Sequence, residues 1–557
     1  MEIKTKLLSS LEKVFLDEEP RSPETAVGSA LRGERYSFQL ACHLSGTDWH
    51  AFLVNIKSSL SEHIHVYTVE HAPSLMPAYE THDEDWLRTS PGLYPDILRP
   101  YTNEWRLVWG QWRTLWVEID VPQDASGNYD ITVDLHYPHD PESICLSRTF
   151  TLEVIPVSLP EQTLRHTEWF HCDCLSVWYK TPVFSEEHWH LMEAYMANAV
   201  RYGINMIFTP IFTPPLDTQI GGERPTVQLV DVFLKNGAYS FGFSRLKRYL
   251  DMARRIGFQY FEMSHLFSQW GAAFAPKIVA EENGEVRRIF GFDTDAHSEE
   301  YVSFLNTFLP ELIGFLRQEG ILDDCYFHIS DEPSENNMES FRQSVESVRD
   351  ALNGCRVMDA LSHYSFYEQG LVGIPVPTVD AAEDFLDKGI PELWVYYCCG
   401  QVNQVSNRFF AMPSSRCRIL GWQLFKYNIQ GFLQWGFNFW FSQYSRFPIN
   451  PFFTTDAGNA FPSGDAFMVY PGDNGPIPSI HQLVFHESLQ DLRALQLLAQ
   501  YMTHEEIAAW LDSECAEPMT FTTYPRGAEF LLTLREKLNR KIAGLVDSDG
   551  WRFAPLH

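Results

Sequence analysis

From about residue 160 onward, short apolar runs of β character alternate with amphipathic helical stretches, and this alternation limits the possible folds more than any other feature. Eight β-runs are legible, at residues 166–172, 204–209, 258–264, 325–330, 356–360, 373–378, 394–398 and 431–440. Between them lie helix patterns. One begins near Ser185, carries Trp189, Met192, Met196, Ala199 and Val200 on one face, and stops at Gly203; others start near Ser244, Ser298, Ser334, Ser415 and His481. The expected fold is α/β, a (β/α)8 TIM-like barrel over residues 159–500. A doubly wound sheet is the alternative. Its usual sign, a glycine-rich phosphate loop after the first strand, is replaced by His171-Cys172-Asp173-Cys174, and neither GxGxxG nor GxxxxGK[ST] occurs anywhere.

The chain before that alternation has a different texture. Residues 1–158 contain β-type runs at 36–44, 49–56, 65–69, 113–121, 129–136 and 148–157, separated by turn residues such as Asp124-Ala125-Ser126-Gly127-Asn128. This pattern predicts a β-sandwich ahead of the barrel, with the joint at Pro156-Val157-Ser158-Leu159-Pro160. Residues 501–557 read as a C-terminal appendage with a helix near 526–545, either separate or part of the barrel domain.

Charge narrows the partners. There are 42 Lys and Arg against 73 Asp and Glu, a net charge of −31. Such an excess repels phosphate backbones and anionic membrane surfaces, so neither nucleic acid nor a membrane is an expected partner. A neutral ligand is compatible with it, and the 16 Trp, 24 Tyr and 40 Phe favour flat platforms for sugar rings. No run approaches the ~18 apolar residues of a membrane span. The first dozen residues have neither a continuous apolar core nor a small-residue cleavage site, so a cytoplasmic location is expected, with a trimmed secreted form as the alternative. Cys172/Cys174 and Cys398/Cys399 lack the second half of a zinc motif, HExxH is absent, and no metal site is expected.

In a barrel of this class the chemistry sits at the C-terminal ends of the strands. Those ends are rich in carboxylates, histidines and aromatics and nearly free of Lys and Arg. The sharpest feature is Asp331-Glu332, after the fourth run. Two adjacent carboxyls can divide labour, one ionised and one kept protonated by burial and by its neighbour's charge. Both can face the mouth only if the strand breaks, and Pro333 favours a break. The competing role is capping the helix that follows. His171 and Asp173 are candidates for binding hydroxyls, His265 and Trp270 for a pocket wall, and Trp435, Asn438 and Trp440 for positions alternating along the last run.

Several stretches together resemble the catalytic domain of glycoside hydrolase family 123. They are His265-Leu266-Phe267-Ser268-Gln269-Trp270-Gly271, Ser330-Asp331-Glu332-Pro333, Trp394-Val395-Tyr396-Tyr397-Cys398-Cys399, Gly421-Trp422-Gln423, the run from Gly431 to Trp440, and the run from Gly464 to Gly472. The resemblance implies a β-N-acetylgalactosaminidase acting without cofactor or metal by a retaining, substrate-assisted route. Glu332 would be the acid and base, Asp331 would orient the 2-acetamido group, and Tyr396 or Tyr397 would steady its oxygen. Gly464-Asp465-Ala466 and His486-Glu487-Ser488-Leu489-Gln490-Asp491 depart from the family pattern outside the acid pair, and bear on subsite shape. Two other functions compete. One is a glycosidase using a third carboxylate, for which Asp173 and Asp359 are available; the other is a non-catalytic carbohydrate-binding protein. The oligomeric state is not legible.

Overall fold

The computed structural model describes residues 2–548; Met1 and residues 549–557, the end of the expected appendage, lie outside the described residues. Residues 2–158 build two five-stranded sheets. In the first, Glu2–Ser9, Arg35–Ser45, Trp112–Asp120, Ile64–Ser74 and Gly92–Pro100 lie side by side in that order, all antiparallel. In the second the order is Val27–Arg32, Asp140–Ser158, Gly127–Tyr137, Trp49–Lys57 and Trp105–Val108, and its first pair is parallel. Alternate residues of each sheet meet in one core: Phe38, Leu40, Leu115 and Val117 from the first, and Ile131, Val133, Phe150 and Leu152 from the second. Phe38 stacks on Phe150 with ring centroids 4.4 Å apart. Four of these ten strands, residues 2–9, 27–32, 92–100 and 105–108, carry no clear sequence pattern.

The following residues form a near-closed parallel barrel. Its strands are β1 (Arg165–Glu168), β2 (Met206–Thr209), β3 (Tyr260–Met263), β4 (Cys325–His328), β5 (Arg356–Ala360), β6 (Ile374–Val376), β7 (Trp394–Tyr396) and β8 (Gly431–Gln434). The spatial order is β6-β5-β4-β3-β2-β1-β8-β7. The remaining seam, between β6 and β7, is joined by a single parallel bridge from Thr378 to Tyr396. The barrel helices are α1 (Cys172–Tyr179), α2 (Glu186–Arg201), α3 (Ser244–Ile256), α4 (Glu299–Gln318), α5 (Met338–Val348), α6 (Ser365–Glu368), α7 (Ser414–Arg418), α8 (Leu420–Lys426) and α9 (Ile480–Leu498). Ser185, Ser298 and Ser479 cap α2, α4 and α9 by accepting a backbone N–H through their side chains. The repeat is incomplete, because a 3-10 turn, Ala382–Asp384, replaces a helix between β6 and β7.

Two sequence expectations need correction here. The first β-run stops at Glu168, and Cys172 opens helix α1, so His171 and Asp173 belong to a helix start and not to a strand. The eighth stops at Gln434, so Trp435, Asn438 and Trp440 lie on a loop and do not alternate along a strand. The sequence pattern shows neither helix α10 (His504–Ser513) nor a four-stranded sheet of Asp231–Lys235, Ala238–Gly242, Ile278–Glu282 and Glu285–Phe290, built from excursions after β2 and β3.

Period-two alternation decides what points inward. Met206, Phe208, Tyr326, Trp394, Tyr396 and Leu433 fill the barrel interior. Ile207, Phe327, Val395, Tyr397 and Phe432 pack in the larger core formed with the helices. The sandwich is fastened to the barrel by buried polar joints. His481 Nδ1 lies 2.6 Å from Asp96 Oδ1, and the Tyr470 hydroxyl donates to Asp96 Oδ2 at 2.6 Å. The last helix, α11 (Ala528–Ser548), joins both parts: Arg535 pairs with Glu34 of the sandwich and Asp491 of α9.

Candidate active site

At the C-terminal ends of the strands a cavity of about 140 Å³ opens, lined among others by Trp169, Asp217, Gln269, Trp270, Asp331, Glu332, Tyr396, Trp435, Tyr444 and Phe461. At ~10–15 Å³ per enclosed water it holds on the order of ten waters, the scale of one sugar ring. A larger cleft of about 660 Å³ lies between the sandwich, α9 and α11, away from these strand ends.

The chain reaches the cavity from β4 through Ile329 and Ser330. Asp331 is buried, and the Gln269 amide donates to its Oδ2 at 2.6 Å. Its carbonyl accepts the Trp270 N–H at 2.9 Å. Glu332 then takes a left-handed backbone conformation, φ +48°, which lets two consecutive side chains reach the same cavity. The Tyr396 hydroxyl donates to Glu332 Oε1 at 2.7 Å. Neither carboxylate caps the next helix. Ser334 and Asn337 form a reciprocal capping box that opens the 3-10 turn leading into α5. Burial, and after it the charge of Glu332, hold the Asp331 carboxyl well above the usual carboxylate range, so the pair retains a proton where isolated carboxylates have lost theirs.

Non-glycine residues with positive φ gather around this cavity. Asp217 (+37°), Trp270 (+57°) and Tyr444 (+61°) join Glu332 in lining it. Each such residue costs on the order of 1–3 kcal/mol, a strain that functional sites tend to concentrate.

Beneath the cavity the barrel interior is charged. Glu262 accepts from the Trp169 indole at 2.8 Å and from Thr167, and its Oε1 lies 2.6 Å from His328 Nε2. His328 Nδ1 is 3.6 Å from Asp359. The two carboxylates outweigh the cost of burial and push the His328 imidazole up to about 10, so it is a buried cation at neutral pH. His265 stacks on His328 at 4.3 Å and meets the edge of Trp169 at 5.2 Å. Burial and that neighbouring charge keep His265 neutral.

Of the expected site residues, Asp331, Glu332, Trp270, Tyr396 and Trp435 line the cavity. The Trp435 indole donates to Asp465 Oδ2 at 3.0 Å, and burial pushes the Asp465 carboxyl up to about 7. The other expected residues lie outside it. His171 and Asp173 are consumed by a buried joint: Arg224 grips both Asp173 oxygens at 2.7 Å and donates to His171 Nδ1 at 3.2 Å, while His171 Nε2 lies 2.9 Å from the Trp435 carbonyl. Asn438 belongs to the same joint, accepting the His171 N–H at 2.8 Å and returning an N–H to the His171 carbonyl at 3.1 Å. His265 supports Trp169 from below. Trp440 is buried against Trp178 and Tyr195. Tyr397 points outward onto Phe432. Neither stretch that departs from the family pattern lines the cavity itself, but Asp465 of the first holds the lining Trp435 from behind, and in the second Glu487 and Asp491 pair with Arg418.

Trp169, Asp217, Gln269, Tyr444 and Phe461 also line the cavity and are not among the site residues expected from sequence. Gln269 stood inside a quoted run, beside Trp270. Asp217 and Tyr444 carry no local motif, since they meet only when the loops after β2 and β8 fold together.

Residues 169–498 match the family model of the glycoside hydrolase 123 catalytic domain. A family 123 glycoside hydrolase from Clostridium perfringens, whose structure was described for glycolipid glycan hydrolysis, matches with a TM-score of 0.75 and 14% identity, over 98% of this chain and 99% of that one. At that identity the likeness is one of fold. A β-glucuronidase from Bifidobacterium dentium (TM-score 0.32, 8% identity, 88% of this chain and 66% of that one) and xylanase 10B from Clostridium thermocellum (0.31, 9%, 87% and 94%) are too distant to carry an argument. No curated protein matches the chain in sequence.

Proposed function

The chain belongs to glycoside hydrolase family 123, and from that premise we propose that it removes terminal β-linked N-acetylgalactosamine, or a closely related 2-acetamido sugar, by retaining, substrate-assisted catalysis on the TIM-like barrel. The observation that carries the reading is the Asp331–Glu332 pair: consecutive carboxyls in one ring-sized cavity, jointly holding a proton above the usual carboxylate range. When the sugar enters, its acetamido N–H donates to Asp331, whose other oxygen is occupied by Gln269. The shared proton then resides on Glu332, aimed by the Tyr396 hydroxyl, and passes to the glycosidic oxygen as that bond breaks. The acetamido oxygen attacks the anomeric carbon and forms an oxazolinium ion. Glu332, now ionised, takes a proton from water, and the water opens the ring with net retention.

The role anticipated for a tyrosine shifts accordingly. The Tyr396 hydroxyl holds Glu332, which makes it a positioning residue for the acid. A cavity the size of one ring supports exo action. The relative described for glycolipid glycan hydrolysis makes a glycan ending in this sugar the natural class of substrate to try.

The test compares p-nitrophenyl β-N-acetylgalactosaminide with the plain p-nitrophenyl β-galactoside. The proposal predicts hydrolysis of the first alone, and inhibition by a thiazoline that mimics the cyclised amide. Equal rates on both substrates would transfer the nucleophile's role to an enzyme carboxylate and overturn it.

A further inference from the structure

The mechanism above leaves one carboxylate in the cavity unused. Asp217 lies on the loop after β2, is largely buried, and lines the same cavity as the dyad. Burial pushes its carboxyl up to about 6. Its position is fixed from both sides. The Gln269 side chain bridges it to the dyad, donating from Nε2 to Asp331 Oδ2 and accepting the Asp217 backbone N–H at Oε1. On the other side the β8 loop clasps it. Tyr444 N–H donates to Asp217 Oδ2 at 3.0 Å, Ser445 Oγ donates to the Asp217 carbonyl at 2.7 Å, and the Gln219 N–H donates to the Tyr444 carbonyl at 3.0 Å. Among the described residues, no side chain or backbone group donates to Asp217 Oδ1. A carboxylate held this firmly in the wall of a ring-sized cavity, with one oxygen satisfied and the other free of protein donors among the described residues, is a built hydrogen-bond acceptor.

The order of the carboxyls around the cavity suggests which donor. Resting on the proposed function, Glu332 addresses the oxygen on C1 and Asp331 the amide on C2. One glutamine further round stands Asp217. Continuing in the same sense around a pyranose leads to C3 and C4. We infer that Asp217 is a specificity-determining residue, accepting hydrogen bonds from the hydroxyls on C3 and C4 of a 2-acetamido-2-deoxyhexose and so reading the edge of the ring opposite the scissile bond. The C4 hydroxyl is the one that separates galacto from gluco configuration, so this contact sets the epimer preference. The chemistry uses Asp217 only as an acceptor, and no bond to it forms or breaks.

The test is a cycle between enzyme and substrate: wild type, Asp217→Asn and Asp217→Ala against the p-nitrophenyl 2-acetamido glycoside and its 3-deoxy and 4-deoxy analogues. The asparagine variant keeps an acceptor for the Tyr444 N–H, and its thermal midpoint is checked against wild type. A charge-assisted hydrogen bond predicts a loss of about 10- to 100-fold in wild-type kcat/KM on at least one deoxy analogue. Asp217→Ala should lose a similar factor on the parent substrate, mostly through KM, and almost nothing further on that analogue. Unchanged discrimination in Asp217→Ala, or equal losses on all three substrates, would make Asp217 a structural residue and overturn the inference while the proposed function stands. A collapse of kcat at unchanged KM, with activity rescued by azide, would make it a nucleophile and overturn both. No turnover of any 2-acetamido substrate by the wild type would defeat the proposed function, and this inference with it.

Discussion

Glu332 and Asp331 are neighbours in sequence yet carry separate tasks, and that separation can be measured. Glu332→Gln removes the proton donor and should cut kcat on poor leaving groups by ~10²-fold or more, with a smaller loss on activated aryl glycosides that leave unaided. Asp331→Asn should lower kcat on both classes of leaving group, because amide orientation precedes every route through the oxazolinium ion. Retention of wild-type rates by either variant contradicts the assignment. The pH profile follows from the raised Asp331 carboxyl. A dyad stripped of its last proton has no acid to offer, so kcat/KM falls on the alkaline side; because burial and the neighbouring charge delay that loss, the alkaline limb should lie above the usual carboxylate range. A limb within the ordinary glutamate range would show the pair to be uncoupled.

At the scale of elements, the barrel mouth depends on a joint that sequence alone made look like a binding site. His171 and Asp173 precede and open α1, and Arg224 reaches them from the loop after β2. Their residue types suit hydroxyl binding, but the partner that neutralises them lies about 50 positions away, and no spacing rule reveals it. Arg224→Met should lower unfolding free energy by ~3–5 kcal/mol, since it strands a buried Asp173 charge, and adding Asp173→Leu should recover much of that loss; urea denaturation of the single and double variants measures both. A loss under ~1 kcal/mol in the single variant would mean that the pair is not desolvated. The charge on His328 makes stability depend on pH. Its folded pKa of about 10 lies above the ordinary histidine value near 6.5. Its contribution is therefore complete below about pH 6.5 and is lost as pH rises through about 10. The stability gap between wild type and His328→Gln should be wide at neutral pH and narrow towards pH 10; a gap independent of pH would mean that the ring is uncharged. The strands themselves were legible because their apolar runs are short and bounded. Their C-terminal limits were not, because the loops after β1 and β8 are as apolar as the strands they leave. Phe437, Asn438, Phe439 and Trp440 are buried beyond the end of β8, so burial continues where the ladder has stopped.

Across the whole molecule, sandwich, barrel and last helix share buried joints, and the order of sandwich followed by β/α alternation was readable from pattern alone. Asp217 and Tyr444 were not, because the cavity wall they form arises only when loops more than 200 residues apart fold together. Helix α11 was visible as a helix, but its role was not. It buries Leu531, Leu534, Leu538 and Ile542, and Arg535 ties Glu34 to Asp491. Ending the chain after residue 527 exposes the surfaces those four side chains cover, at ~1.5–3 kcal/mol each. The sum, on the order of 6 kcal/mol or more, rivals the ~5–15 kcal/mol that holds a typical domain folded. The shortened protein should aggregate or lose its cooperative thermal transition; a soluble, active product with an unchanged midpoint would show α11 to be dispensable.

In the proposed reaction the sugar's own amide makes the attack while the acid pair manages protons and orientation. That division of labour is tested by kcat/KM across p-nitrophenyl β-galactosaminides whose N-acetyl group carries zero, one, two or three fluorines. Each fluorine weakens the amide oxygen as a nucleophile and changes the size of the group little. Attack by the amide oxygen predicts a steep, progressive fall in rate along the series; a flat series would place the nucleophile on the protein.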